Sequence, residues 1–296
     1  MTTALASGPL TALRQLVGSS RPLSWINTAY PFAAAYLLGG GGAGPVLVVG
    51  TIFFLIPYNL LMYGVNDVFD HESDLRNPRK GGVEGVVLDT RWHALTLWAA
   101  GLLCLPFVIA LAMWGTAAST ALLVGVLAAV VGYSAPRIRL KERAVLDSAT
   151  SSAHFVGPAA VGLALAGAEP SGPAVLALIA FFLWGMASHA VGAVQDIVPD
   201  RAAGIGSVAT ALGARATIRT AAGLYAASGL LLLGLPWPGT LAALLVIPYL
   251  ANIAPHLALT DASSGRAHAA WRRFLVLNLV AGALLTQLVI VELLGR

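Results

Sequence analysis

The chain has 296 residues, 58% of them hydrophobic and only 10% charged, with a mean hydropathy of +0.81. A soluble domain of this length has too little interior for so much apolar surface, so the reading is all-α, a single polytopic membrane helix bundle over residues 1–296. A net charge of +4 and a pI near 9.5 would suit nucleic acid. The basic residues instead sit in links between apolar runs, which excludes that partner.

Residues 1–22 read as a short cytoplasmic lead, because their apolar stretch is too broken for a secretory signal. Apolar runs follow at 23–40, 44–65, 92–113, 116–133, 145–166, 172–194, 217–235, 238–259 and 272–294. Each is near the roughly 20 residues needed to cross hydrocarbon. The links near 41–43, 114–115, 167–171 and 236–237 carry no Lys or Arg, while the others hold nearly all of them. Every basic residue except Arg296 then lies on one side, which by the positive-inside rule is cytoplasmic and leaves the C-terminus outside. Pro57, Pro106 and Pro248 are expected to kink or open their helices, and most of the 32 glycines to let helices approach closely. Cys104, alone in an apolar run, offers neither a disulfide nor a thiolate metal site.

Two acidic segments stand at cytoplasmic ends of apolar runs. Asn66-Asp67-Val68-Phe69-Asp70 continues to Asp74, and Gln195-Asp196 continues to Asp200. Six of the 13 acidic residues fall in these two segments, which argues against incidental loop decoration. Steps of three and four place Asp67, Asp70 and Asp74 on one helical face, with Asn66 beside them. Asp196 and Asp200 are four apart, and Pro199 permits this only if the helix bends or restarts. Five carboxylates and an amide form an oxygen-only donor set. That suits Mg2+ bridging carboxylates to substrate phosphates. A calcium loop would need a Gly and a terminal Glu at fixed positions, and both are missing.

Basic residues complete a diphosphate site: Arg76, Arg79 and Lys80 after the first motif, Arg201 after the second, and the run Arg137-Ile138-Arg139-Leu140-Lys141. Lys141 and Arg137 are the preferred phosphate ligands. Arg215 and Arg219 are expected at the headgroup level. Asn59 lies seven residues before Asn66 and is expected to share its face. Trp25, Tyr30, Phe54, Tyr58, Tyr63 and Trp184 are candidate walls for a carbocation, against the plainer reading of core packing. His154 and His189 are candidates to quench such a cation, against the plainer reading of bundle-interior histidines.

The two acidic motifs, together with Tyr133-Ser134-Ala135-Pro136 running to Lys141, resemble the UbiA superfamily of intramembrane prenyltransferases along essentially the whole chain. The segments Ser19 to Pro31, Asn66 to Gly85 and Phe182 to Asp196 resemble, more narrowly, the actinobacterial lycopene elongases of C50 carotenoid synthesis. That resemblance implies nine helices and Mg2+-dependent transfer of dimethylallyl groups from dimethylallyl diphosphate to lycopene, giving nonaflavuxanthin and then flavuxanthin. It also implies association with carotenoid cyclase subunits. Rival readings are a prenyltransferase for an aromatic quinone precursor, a terpene cyclase of the same fold, and a transporter. A transporter would place its acids near the bilayer midplane in discontinuous helices rather than at one mouth.

Overall fold

The computed structural model describes residues 8–75 and 87–295. Among the described residues the secondary structure is helical, with no strand. A short helix α1 (Pro9–Ser19) precedes α2 (Ile26–Leu38). Next come α3 (Pro45–Leu55), α4 (Pro57–Phe69) and the single turn α5 (His71–Asp74). The long helices α6 (His93–Trp114), α7 (Ala117–Ser134), α8 (Leu146–Leu165) and α9 (Gly172–Val194) follow. Two short helices, α10 (Ile197–Ala203) and α11 (Val208–Leu212), lead to α12 (Ala214–Leu232). A 3-10 run, Gly239–Val246, passes into α13 (Ile247–Ile253), and α14 (His268–Leu294) closes the chain.

Each apolar run read from the sequence is therefore helical. Six helical stretches are long and apolar enough to cross a membrane by length and composition: Pro45–Phe69, Thr90–Trp114, Ala117–Ser134, Gly172–Val194, Gly239–His256 and Asp261–Leu294. The remaining helices are shorter or more polar. α2 has 13 residues, α8 carries Asp147, Ser148, Thr150, Ser151, Ser152 and His154, and α12 carries Arg215 and Arg219.

Local chemistry explains the breaks. Pro57 has no N–H to donate backwards, so the ladder fails at Ile56 (φ −118°, ψ −65°) and α4 begins afresh. Pro106 is accommodated inside an unbroken α6, and Pro248 stands in the first turn of α13, where the 3-10 run gives way. α7 is started by Thr116, whose hydroxyl accepts from the Ser119 amide at 3.2 Å.

Two cores organise the bundle. Phe32, Phe53, Phe54, Tyr58, Leu123 and Val161 pack in one, drawn from α2, α3, α4, α7 and α8. Val191, Ile218, Tyr225, Tyr249 and Phe274 pack in the other, from α9, α12, α13 and α14. Lipid is as apolar as these side chains, so close packing and interhelical hydrogen bonds hold such cores rather than escape from water. Gly162 shows the packing term: a Cβ there would lie 2.5 Å from the Phe32 carbonyl oxygen, so α8 touches the backbone of α2. Ser228 Oγ donates to the Ala180 carbonyl at 2.8 Å, and the Ser188 and Tyr225 hydroxyls pair at 2.9 Å. Large apolar side chains such as Trp98, Met113 and Leu279 are instead exposed, as a lipid-facing surface requires.

Each core carries one acidic motif at a helix end, α4 in the first and α9 in the second. α8 and α9 join the halves, with Ser152 Oγ donating to the Phe182 carbonyl at 2.7 Å.

Candidate active site

The first motif keeps helical spacing through its break. Asp70 ends α4, yet its amide donates to the Asn66 carbonyl at 2.9 Å and the Asp74 amide donates to the Asp70 carbonyl at 2.8 Å. Asp67, Asp70 and Asp74 thus follow one i→i−4 register, as the spacing predicts. In the second motif α9 stops at Val194 and α10 restarts at Ile197, so Pro199 falls in a first turn where no N–H is needed. The Asp200 amide still donates to the Asp196 carbonyl at 2.9 Å. Gln195 is held by His268 of α14, Nδ1 to Oε1 at 2.7 Å.

Asp67 is fully buried and engaged from the N-terminal segment. Ser19 Oγ donates to its Oδ2 at 2.8 Å, and Arg21 Nη2 lies 3.1 Å from its Oδ1. The guanidinium also stacks 4.3 Å above the Tyr63 ring. The lead is therefore part of the site: α1 packs on α4 and delivers Ser19 and Arg21. The sequence reading gave residues 1–22 no such role. Its signal was Ser19-Ser20-Arg21-Pro22, a cation just before the first apolar run.

The basic loop between α7 and α8 closes over the same motif. Asn66 Oδ1 accepts from Ser134 Oγ at 2.9 Å and from Lys141 Nζ at 3.2 Å. Lys141 also pairs with Asp70, and Arg139 Nη2 stands 3.5 Å from Asp70 Oδ1. Burial lowers the Lys141 pKa more than the Asp70 charge raises it. Arg139 is held by Glu142, whose carboxyl is pushed below its ordinary range by that hydrogen bond. Arg137 is exposed. Of the two preferred phosphate ligands, the structure brings Lys141 to the motif, and the second cation beside it is Arg139.

Among the described residues the non-glycine positive-φ positions are Arg21 (52°), Arg137 (72°), Arg139 (39°) and Val145 (74°). Two of these, Arg21 and Arg139, reach the first motif, and the other two flank the loop that carries Lys141. Such backbone costs about 1–3 kcal/mol per residue and persists where surrounding contacts over-determine it.

Other expected site residues lie differently. Asn59 is fully buried, and its amide donates to Thr28 Oγ1 at 2.7 Å and to the Phe54 and Leu55 carbonyls at 2.8 and 3.0 Å. It repairs the carbonyls left by the Pro57 break, and that is the partner its amide finds. Phe54 and Tyr58 are fully buried in the first core, so the plainer reading holds for them. Arg201 ties α10 to its neighbours, through Asp261 at 2.6 Å and the Thr210 carbonyl at 2.8 Å. Arg76, Arg79 and Lys80 lie outside the described residues.

Asn66, Asp67, Asp70, Asp74, Asp196 and Asp200 supply only hard oxygen donors, the chemistry Mg2+ prefers. Among the described residues no three His, Cys, Asp or Glu side chains converge closely enough to hold a metal ion. Asp67 and Asp70 instead meet Arg21, Lys141 and Arg139. An open groove of about 800 Å³ lined by Pro248, Asn252, Arg272 and Leu277 shares no residue with this mouth.

A helical bundle whose cation-lined acidic mouth caps an apolar interior is suited to ionising a lipophilic diphosphate. The comparisons place it: the chain matches the UbiA prenyltransferase family over residues 28–280 and belongs to that family, a multi-pass membrane protein with the fold of intramembrane prenyltransferases. It is 48% identical over 94% of its length to a lycopene elongase/hydratase of Corynebacterium glutamicum, of which it spans 97%. It is 53% identical, again over 94% of its length, to a C(50) beta-cyclic carotenoids biosynthesis protein of a Dietzia species, of which it spans 65%. A UbiA homologue from Archaeoglobus fulgidus bound to GPP and Mg2+ shares the fold, with a TM-score of 0.67 at 18% identity, covering 90% of this chain and 99% of that one.

Proposed function

We propose that this protein transfers dimethylallyl groups from dimethylallyl diphosphate to the ends of lycopene and releases diphosphate, giving C45 nonaflavuxanthin and then C50 flavuxanthin. The observation that carries this reading is the 48% identity, along nearly the full length of both chains, to a relative named lycopene elongase/hydratase. The Archaeoglobus homologue bound to DMAPP and Mg2+ supports the donor.

Asp67, Asp70, Asp74, Asp196 and Asp200 would hold Mg2+, with Asn66 orienting them. Bound there, the metal supplies charge neutralisation for the departing diphosphate. Lys141 offers a point charge and Arg21 and Arg139 offer planar forks to phosphate oxygens. Their present carboxylate partners keep them poised at the mouth, and arrival of donor with its metal would redistribute those pairs. Arg76, Lys80, Arg137 and Arg201 belong to the same proposal as further cations. Breaking the allylic C–O bond leaves a dimethylallyl cation, which survives only where water is excluded and which aromatic faces stabilise by about 0.5–2 kcal/mol. The terminal double bond of lycopene then attacks from the bilayer side.

The proposal includes nine membrane crossings, with the N-terminus and the acidic mouth cytoplasmic and the C-terminus outside, supported by the distribution of Lys and Arg. It extends to contact with carotenoid cyclase subunits. The Dietzia relative is named for cyclic C50 carotenoid synthesis and continues beyond the matched region. Membranes containing the protein, incubated with lycopene, dimethylallyl diphosphate and Mg2+, should yield pigments heavier by one and then two prenyl units. Prenylation of hydroxybenzoate with lycopene unchanged would overturn the acceptor and leave the family.

A further inference from the structure

One polar cluster inside the bundle lies outside the set of residues assigned to the donor above. Tyr133 is the residue before Ser134, which bonds Asn66, so its side chain begins one residue from the mouth. Its hydroxyl lies 3.3 Å from His189 Nε2, on α9. His189 Nδ1 lies 3.1 Å from Ser148 Oγ, at the start of α8. Beside Ser148, Asp147 is fully buried. Its Oδ2 accepts from the Val208 amide at 2.7 Å, and its Oδ1 has no hydrogen-bond partner among the described residues. The ring of His154 stands edge-on to Tyr133 at 5.0 Å.

A buried carboxylate that keeps an unsatisfied oxygen is costly, and structural packing alone does not ask for one. The His189 ring meets Ser148, the residue after Asp147, so an imidazolium formed there would lie in the same buried polar region as that carboxylate. With the ring proton on Nδ1 and directed at Ser148, Nε2 accepts the Tyr133 hydroxyl, and the Tyr133 oxygen keeps lone pairs for a further proton.

We infer that Tyr133 and His189, backed by Ser148 and Asp147, accept the proton that ends the reaction, an inference that rests on the transfer reaction proposed above. After lycopene attacks the dimethylallyl cation, the new C–C bond leaves a tertiary cation. A C–H bond next to that centre breaks and its electron pair closes a double bond. The proton passes to the Tyr133 oxygen as the Tyr133 proton passes to His189 Nε2. If water has added to the cation instead, the same acceptor takes the proton of the resulting oxonium, leaving an alcohol. Either way one proton reaches His189, which becomes imidazolium, and diphosphate is the other product.

The test compares wild type, Tyr133→Phe and His189→Gln in membranes with lycopene, dimethylallyl diphosphate and Mg2+. It measures donor affinity, diphosphate released and each pigment formed. Y133F removes one oxygen and keeps the ring, so it remains informative if H189Q inserts poorly. The expected result is donor affinity within about twofold of wild type, with pigment formed per diphosphate released lower by about 100-fold, the scale of a lost general base. The residual pigment should shift in its ratio of hydrated to dehydrated product. Unchanged yield and ratio in both variants would overturn the inference. So would a loss of donor affinity equal to the loss of pigment, which marks a structural role. A wild-type protein that leaves lycopene untouched fails the proposed function itself, and that is seen before any variant is made.

Discussion

Arg21 reaches Asp67 across 46 residues of sequence, Nη2 to Oδ1 at 3.1 Å, with its guanidinium spread over the Tyr63 ring. This contact makes the N-terminal segment a wall of the acidic mouth. Breaking a buried pair by removing one partner strands the other charge, at about 3–5 kcal/mol. Ser19 stays bonded to Asp67 and Arg21 is partly exposed, so Arg21→Gln should cost about 3 kcal/mol, the lower end of that range. Asp67→Asn on the same background should restore part of it, because the stranded charge is gone. Thermal unfolding in detergent of both single variants and the double checks this; strict additivity would show that the pair is not coupled.

The two preferred basic candidates should separate. Lys141 is largely buried against Asn66 and Asp70, whereas Arg137 is exposed. A hydrogen bond to a charged group is worth about 1.5–3 kcal/mol, so Lys141→Gln should raise the donor KM roughly 10- to 100-fold. Arg137→Gln should stay within about twofold. Titrating dimethylallyl diphosphate on each variant decides it, and equal responses would remove Lys141 from the phosphate site.

Gly206 gives a way to move that loop without touching a charge. A Cβ at this position would collide with the Glu142 carbonyl oxygen, the residue after Lys141. Backbone cannot yield as a side-chain tip does, so Gly206→Ala should displace the loop. A higher donor KM with little change for lycopene is expected, along with a loss of about 1–3 kcal/mol in stability from overpacking. Kinetics that match wild type for both substrates would show that the loop position is not tied to donor binding.

Metal dependence is expected of both acidic motifs. Asp67→Asn and Asp196→Asn should each lower turnover by at least about 100-fold, as each removes an anionic ligand from the proposed Mg2+ site. Excess chelator should abolish activity, and added Mg2+ should restore it in wild type alone. Full turnover in chelator would end the metal–diphosphate reading.

Much of this protein was legible locally. Apolar runs near bilayer length become helices because an isolated backbone in lipid must satisfy its own hydrogen bonds, so every run from 23–40 to 272–294 is helical. The step of three and four from Asp67 to Asp74 survives the end of α4 because the i→i−4 ladder does, and Pro199 dictates the restart at α10. The partners of Asn59 were not legible in the spacing, for a physical reason. Helical spacing put it on the helix that carries Asn66, and the carbonyls stranded by Pro57 are the groups its amide meets.

The sequence by itself determined the kind of groups available: clustered oxygen donors, basic residues gathered in the links between apolar runs, and helices with almost no charge. Composition and spacing suffice for that, since they set which groups exist and which face they share. Which distant polar groups meet was decided only by the tertiary structure. Arg21 on Asp67, Lys141 on Asn66 and His189 between Tyr133 and Ser148 join residues 46, 75, 56 and 41 positions apart. Such pairs depend on how α1, α4, α7, α8 and α9 pack and on positive-φ backbone at Arg21 and Arg139 that residue type does not favour, and short-range spacing carries no record of either.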